Sequence, residues 1–284
     1  MTMDAAMTAV AAAVIGGAVA RVLLRLRLAA PPVSLMRVNV SGIRVPAVLG
    51  SPTVFGAMCG MFFAVATGST GWGPGRLGSM GLAVGLLIVT LYIAGSIDDR
   101  RGDEPARGFG GHLSAARRGR LTGGIVKMVV AGLAGLGAGV LVADGRQAVE
   151  VALVVALTAN LVNLLDRAPG RAGKATVLLA AVPLVFAPAD WVVASAGLLG
   201  ALVAVMPADL RERAMLGDAG ANPIGAVVGL GLATSMSEPV RITAILVLLA
   251  LNVASERWSF SKVIERTPAL AAVDRWGRRS RSER

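Results

Sequence analysis

The stretch VALVVALTANLVNLLD, residues 151–166, joins a membrane-spanning pattern to polar residues at one end. Its first nine residues are almost all apolar, and then Asn160, Asn163 and Asp166 follow at intervals of three. A helix needs about 20 mainly apolar residues to cross the hydrocarbon core of a bilayer. Ionisable groups at the end of such a span are costly unless they are partnered or functional. The stretch therefore predicts a transmembrane helix with a polar site at its end.

The composition extends this prediction to the whole chain. Of 284 residues, 55% are hydrophobic and only 16% charged, and the mean hydropathy is +0.70. Such a chain is too apolar for a water-soluble domain and indicates an integral membrane protein of the all-α class, a polytopic helical bundle. Glycine is abundant, and runs such as GLAGLGAG (132–139) and GAVVG (225–229) predict helices that approach one another closely.

Hydropathy divides the chain into a membrane domain, residues 1–255, and a basic cytoplasmic tail, residues 256–284. About nine spans are expected, near residues 5–24, 45–67, 78–97, 122–143, 147–165, 174–188, 190–206, 219–236 and 239–255. The tail carries Trp258, Phe260, Ile264 and Trp276 among basic residues, which predicts an amphipathic helix at the membrane surface.

The distribution of basic residues predicts the orientation. They concentrate in alternate connections, at residues 21–44, 100–127, 167–174 and 211–213 and in the tail, whereas the other connections hold only Arg76, Arg146 and Arg241. By the positive-inside rule the amino terminus is outside and the carboxyl terminus cytoplasmic. The net charge of +11 then reflects cytoplasmic loops beside anionic membrane lipids, and nucleic acid is not expected as a partner.

Four carboxylates end or begin predicted spans on this cytoplasmic side: Asp98, Asp99, Asp166 and Asp218. Each by itself could be an ordinary helix-end charge. Their convergence on one face favours a site, and since none lies at mid-membrane depth a transporter is the weaker interpretation.

His112 and Cys59 are the only histidine and cysteine. A bound metal would therefore be held by oxygen, which favours magnesium or calcium over zinc.

Each polar motif allows a functional and a structural interpretation. Adjacent helical residues point about 100° apart, so Asp98 and Asp99 face different partners unless the helix unwinds. Asn160, Asn163 and Asp166 could bind Mg²⁺ or a substrate hydroxyl, or the asparagines could join neighbouring helices. In MLGDAGANPIG (215–225) the glycines permit a tight turn before a helix whose free N–H groups suit a phosphate. Alternatively, Asp218 is simply a helix cap.

In order and spacing these motifs resemble the polyprenyl-phosphate N-acetylhexosamine-1-phosphate transferase superfamily, which includes phospho-N-acetylmuramoyl-pentapeptide transferase. NVSGIRVPAVLG (39–50) looks like the first cytoplasmic loop of that family, IDD (97–99) like its aspartate pair, NLVNLLD (160–166) like its NxxNxxD motif and LGDAG (216–220) like its GDxG motif. Lys127 falls near the basic residue that follows the aspartate pair.

The resemblance implies a bacterial enzyme of the cytoplasmic membrane that synthesises cell-envelope glycans. It would transfer a sugar 1-phosphate from a UDP-sugar to polyprenyl phosphate, with Mg²⁺ as cofactor, and release UMP. Asp218 and Asn163 would bind the metal, and Asp98 would position or deprotonate the lipid phosphate. Asp99 and Asp166 would shape the site or bind nucleotide, and Lys127 would neutralise phosphate. Asn160, Gly217 and Gly220 are expected to contribute to substrate binding.

The chain also departs from the family pattern. RAPGRAG (167–173) replaces a glycine and a second DG, the late loop has no histidine, and nine spans are expected where the family has ten. These departures keep an alternative open, an inactive paralogue that binds lipid and nucleotide sugar as a scaffold in envelope assembly. The sugar, the polyprenyl length and the oligomeric state, a homodimer included, also stay open.

Overall fold

The chain folds into an all-helical membrane protein, apart from one short hairpin, in a computed structural model that describes residues 1–68, 78–101 and 123–278. His112 lies outside these residues. The α-helices within them are α1 (Met3–Ala29), α2 (Gly50–Ala66), α3 (Ser79–Arg101), α4 (Gly123–Val142), α5 (Gly145–Leu165), α6 (Arg171–Phe186), α7 (Ala189–Leu210), α8 (Asp218–Ser235), α9 (Glu238–Arg257), α10 (Phe260–Arg266) and α11 (Pro268–Arg275).

Five of these helices are long and apolar enough to cross a membrane, namely α1, α3, α5, α7 and α9. Each of the nine predicted segments contains one helix. The other four are weaker candidates for spans by themselves. The 16 residues of α6 extend only about 24 Å, less than the roughly 30 Å of a hydrocarbon core, and α8 opens with the polar sequence DAGANP. Nine spans and the orientation therefore stay predictions.

A small hairpin precedes α2, where the hydropathy predicted the start of a span. Strand β1 (Met36–Val38) pairs antiparallel with β2 (Arg44–Pro46). Pro46 has no N–H for a helix, and its carbonyl accepts the N–H of Met215 at 3.0 Å, while the N–H of Leu49 bonds to the Met215 carbonyl at 3.1 Å. These bonds tie the hairpin to the segment before α8, so the helix begins only at Gly50.

Helix α8 lies at the centre of the bundle and packs on α3, α5 and α6. Nearly every residue between Ala219 and Ala233 is buried. A Cβ placed on Gly225 would lie 2.8 Å from the Cα of Ala159, and one on Gly229 would lie 3.0 Å from the Cα of Val155. The close helix approach predicted at GAVVG is thus confirmed, and it occurs against α5.

Helix α9 lies at the edge of the bundle and packs mainly on α5. At the start of both helices, Arg241 and Glu150 form a buried ion pair, 2.7 Å between Nη2 and Oε2. Most of the remaining α9 surface is apolar and exposed, as at Leu246 and Val253. In a membrane protein such a surface faces lipid or another helix.

The tail forms two short helices instead of the single amphipathic helix that its sequence predicted. Proline has no N–H to donate within a helix and restricts the residue before it. Accordingly α10 ends at Arg266, and Pro268 begins α11 as its first residue.

We expect Gly225→Ala to lower the free energy of unfolding by roughly 1–3 kcal/mol, because the new methyl group meets the backbone of α5. Gly132→Ala is the matched control. Nothing lies within 4 Å of a Cβ at Gly132, and alanine has the higher helix propensity, by about 1 kcal/mol. Thermal unfolding in detergent measures both variants, and equal melting temperatures would contradict the packing described.

Candidate active site

Asp98 and Asp99 point to different partners because α3 stays helical through both of them. The Oδ2 atom of Asp98 lies 2.7 Å from the Nζ atom of Lys127 on α4. Asp99 is buried, and its carboxylate accepts the backbone N–H groups of Asp218 at 3.0 Å and Ala219 at 2.9 Å. The structure therefore assigns Asp98 to a cluster of side chains and Asp99 to the start of α8.

Lys127 joins this cluster to α8. Its ammonium group donates to both Asp98 and Asp218, and the Nδ2 atom of Asn163 on α5 donates to Asp218 Oδ1 at 2.5 Å. The side chain of Lys127 is 28% exposed and that of Asp218 20% exposed, so the cluster is open to a ligand. Side chains from α3, α4, α5 and α8 thus meet at one point.

The polar face of α5 divides between two neighbours. Three residues turn a helix by about 300°, so successive polar positions drift around its axis. Asn163 and the helix-ending Asp166 face α8, where Asp166 accepts the N–H of Gly217 at 2.8 Å. Asn160 instead donates to Asn252 of α9 at 2.5 Å. Asn160 joins two helices and lies outside the cluster, and its part in substrate binding stays a prediction.

The two glycines of LGDAG allow the start of α8 to pack closely. Gly217 has a φ of 67°, and a Cβ there would lie 2.8 Å from an Asp99 oxygen. At Gly220 a Cβ would lie 3.0 Å from the Cα of Gly50. The sequence had suggested free N–H groups at this helix start, and this prediction is wrong. Asp166, Asp99 and the Gly217 carbonyl accept the N–H groups of residues 217–221.

A small pocket opens beside Asp166. It is lined by Asn39 and Val45 of the hairpin region, by residues 166–169 and by the segment that contains Asp209 and Glu212. Asn39 and Ser41 both donate to Glu212, at 3.3 and 2.8 Å. Arg37, on β1, donates to the backbone carbonyl of Asp99. The hairpin therefore connects the pocket to the end of α3, which carries both Asp98 and Asp99.

Asp209 is a site carboxylate that the sequence analysis missed. It is only 4% exposed, and it accepts a hydrogen bond from the backbone N–H of Gly170. Like the other carboxylates it lies at the end of an apolar helix, which is the signal that could have identified it. The predicted span ends at residue 206, so Asp209 fell between this span and the basic residues Arg211 and Arg213.

Oxygen atoms of the cluster suit a hard divalent cation. Among the residues that the structure describes, no group of three or more His, Cys, Asp or Glu side chains forms a ready-made metal site. Magnesium does not require one, because it is usually held by one or two carboxylates with water and substrate phosphates. Asp218 would supply a carboxylate oxygen to such a partial ligand set, and Asn163 would supply an amide oxygen once its side chain turns, because its Nδ2 atom faces Asp218 in this structure. The residues present therefore fit Mg²⁺ when a phosphate ligand completes its coordination.

No protein-family model matches the chain, and a search of curated proteins finds no match either. The family resemblance therefore rests on the order of the four motifs along the sequence.

The pKa of Asp166 gives a pH-dependent prediction. Burial raises the pKa of this carboxyl well above its ordinary value, the negative charge of Asp209 raises it further, and the bond from the Gly217 N–H opposes both effects. Such a group contributes stability below the ordinary carboxyl pKa of about 3.9, and this contribution is lost as the pH rises through the raised pKa.

We therefore expect Asp166→Asn to be more stable than the parent at about pH 8, by roughly 1 kcal/mol or more. The difference should shrink toward about pH 4. Asp190→Asn is the control, because Asp190 is exposed in the first turn of α7 and should change stability little at either pH. Chemical denaturation in detergent provides the measurement. A less stable Asp166→Asn protein at pH 8 would be the contrary result.

Proposed function

We propose that the protein transfers a sugar 1-phosphate from a UDP-sugar to polyprenyl phosphate in the bacterial cytoplasmic membrane, with Mg²⁺ as cofactor and UMP as the second product. One observation carries the proposal. Asp98, Lys127, Asn163 and Asp218, which the family motifs single out, come from four helices and bond to one another. We further propose that α1–α9 all span the membrane, with this cluster on the cytoplasmic side, where the basic loops lie.

The charges of the cluster suit a reaction between two anions. Asp98, Asp99, Asp166 and Asp218 supply four carboxyl groups, against the ammonium group of Lys127. Two phosphorylated substrates add more negative charge, so a divalent cation is needed to offset the repulsion. When bound to Asp218 and Asn163, Mg²⁺ would polarise the diphosphate and hold it in place.

The other residues of the site have separate proposed roles in the transfer. Asp98 lies where it can hold or deprotonate the lipid phosphate, and Lys127 beside it can neutralise charge on either phosphate. An oxygen of the lipid phosphate attacks the β-phosphorus of the nucleotide sugar, and the bond from that phosphorus to the bridging oxygen breaks to release UMP. We assign the nucleotide to the surface around the small pocket beside Asp166, where carboxylate and amide oxygens can accept its uracil N–H and ribose hydroxyl groups. Asp99 and Asp166 position the start of α8 through its backbone N–H groups.

A binding protein without catalysis is the second candidate. It is favoured by the contacts of Lys127, whose ammonium group pairs with both Asp98 and Asp218. Lys127 therefore neutralises both carboxylates without a metal cation. A protein in which these residues have only a structural role would need such a partner. A scaffold would bind polyprenyl phosphate or nucleotide sugar through the same residues and leave both unchanged.

Release of UMP by the purified full-length protein tests the transferase function. Incubation with polyprenyl phosphate, a panel of UDP-sugars and Mg²⁺ should release UMP with at least one donor, and chelation of the metal should stop the reaction. We expect Asp218→Asn to lower the rate by about two orders of magnitude or more, because it weakens both the metal site and the charge balance.

Asp190→Asn, far along the chain from every site motif, controls for the loss of a carboxylate and should retain the parent rate. Turnover by Asp218→Asn at the parent rate would refute the metal assignment. If no donor reacts but the protein binds polyprenyl phosphate or a UDP-sugar, the scaffold function is the correct one.

A further inference from the structure

The two tail helices are attached to the start of α6 by one arginine. Arg171 is 6% exposed, and its guanidinium group donates to both carboxylate oxygens of Asp274 on α11, at 2.8 and 3.0 Å. A third bond, 2.8 Å long, reaches the hydroxyl of Ser261 on α10. A bidentate, buried arginine–carboxylate pair has a defined geometry. Arg171 therefore holds both helices in one orientation.

A lysine one turn along α6 completes the attachment. The ammonium group of Lys174 donates to the carbonyls of Val273, Asp274 and Trp276, at 3.0, 2.5 and 3.1 Å. These carbonyls lie in the last turn of α11 or just after it, where few backbone N–H groups are left to bond them, although Val273 also accepts the N–H of Trp276 at 3.3 Å. Arg171 lies in RAPGRAG (167–173), where the chain departs from the family pattern, and Lys174 follows it directly. The tail is the partner of these basic residues.

The pKa of Asp274 is consistent with a persistent ion pair. Burial raises the pKa of this carboxyl, but the hydrogen bonds from Arg171 and the charges of Arg171 and Arg278 outweigh burial, and the pKa lies below its ordinary value. The carboxylate is therefore ionised at neutral pH, and the contact between the tail and α6 is retained there.

The side of the tail that faces away from α6 combines apolar and basic groups. Trp258, Leu270, Val273 and Trp276 are exposed, Trp276 by 76% and Val273 by 60%. Basic side chains close to them in the sequence are also exposed, at Arg257, Lys262, Arg266 and Arg275. Aromatic and aliphatic groups interspersed with arginine and lysine are typical of helices that lie in the membrane interface.

We propose that α10 and α11 form a platform that binds the anionic headgroups of the membrane leaflet at which α9 ends. Helix α9 is a candidate span that ends at Arg257, so the platform begins at the headgroup region. From residue 256 onward the sequence has eight basic and four acidic residues, which complements an anionic surface. The exposed apolar side chains favour a lipid layer over a nucleic acid.

The platform also connects the lipid surface to the candidate pocket. Arg171 follows residues 166–169, which line the pocket, after a single glycine. Lipid headgroups would bind one side of the platform, and the Arg171–Asp274 pair joins its other side to the start of α6. The loop that lines the pocket is thereby attached to the membrane surface. This inference does not depend on the transfer reaction, because it concerns only the placement of the tail.

Spin labels on the full-length protein test the platform. In a Cys59→Ala background, a nitroxide at Val273→Cys reports the outer side of α11, and one at Ala272→Cys, also exposed, reports a different side. Both are measured in nanodiscs of phosphatidylcholine alone and of phosphatidylcholine with phosphatidylglycerol. We expect the ratio of oxygen to nickel-chelate accessibility at 273 to rise about twofold or more with the anionic lipid, and the ratio at 272 to change little.

Charge variants separate the platform from a general effect of lipid charge. Replacement of Lys262, Arg266 and Arg275 by glutamine should abolish the response at 273. Replacement of Arg25 and Arg27, which are exposed near the end of α1, should leave it intact. The proposal would be overturned if the accessibility ratios at 272 and 273 were equal, or if the ratio at 273 were the same in neutral and anionic nanodiscs. Immobilisation of the label by a short RNA in neutral nanodiscs, without any response to anionic lipid, would assign the surface to nucleic acid and also overturn it.

Discussion

The start of α8 is held by carboxylates from two other helices, and the candidate site depends on this contact. Asp99 of α3 and Asp166 after α5 accept the N–H groups of residues 217–219. A helix start buried without such partners would leave donors unsatisfied at considerable cost. Because α8 is also the central helix of the bundle, the same contact aligns α3 and α5 and places the Asp218 side chain between Lys127 and Asn163.

Two kinds of carboxylate result from this arrangement. Asp99 and Asp166 are buried and bonded to backbone, whereas Asp98 and Asp218 are partly exposed and bonded to side chains. The first pair determines the shape of the site, and the second pair is accessible to a ligand. A concentration of negative charge with one ammonium group suits a cation and phosphate groups better than a neutral ligand. The division supports the proposed transferase while leaving Asp99 and Asp166 as positioning residues.

Hydropathy predicted the helices well, since each expected span contains one helix whose ends differ by only a few residues from the prediction. It failed where local sequence was less informative than tertiary contacts. Val45 and Pro46 look like the start of a span, but they pair with β1 and with Met215. Similarly, NLVNLLD looks like one polar face, although Asn160 and Asn163 meet different helices. Asp209 follows the predicted span 190–206 and is buried beside the pocket.

The sequence by itself determined the class of the protein, the positions of nine of the helices that the structure describes and the residue types at its candidate site, because hydrophobic periodicity and the cost of charge in an apolar helix are local properties. Only the tertiary structure decided which of those residues meet. Three results depend on which helices are neighbours: Asp98 and Asp99 have different partners, Asn160 lies outside the cluster, and the tail is attached to Arg171. Neighbour relations are set by packing between segments far apart in the chain, and no single segment contains that information.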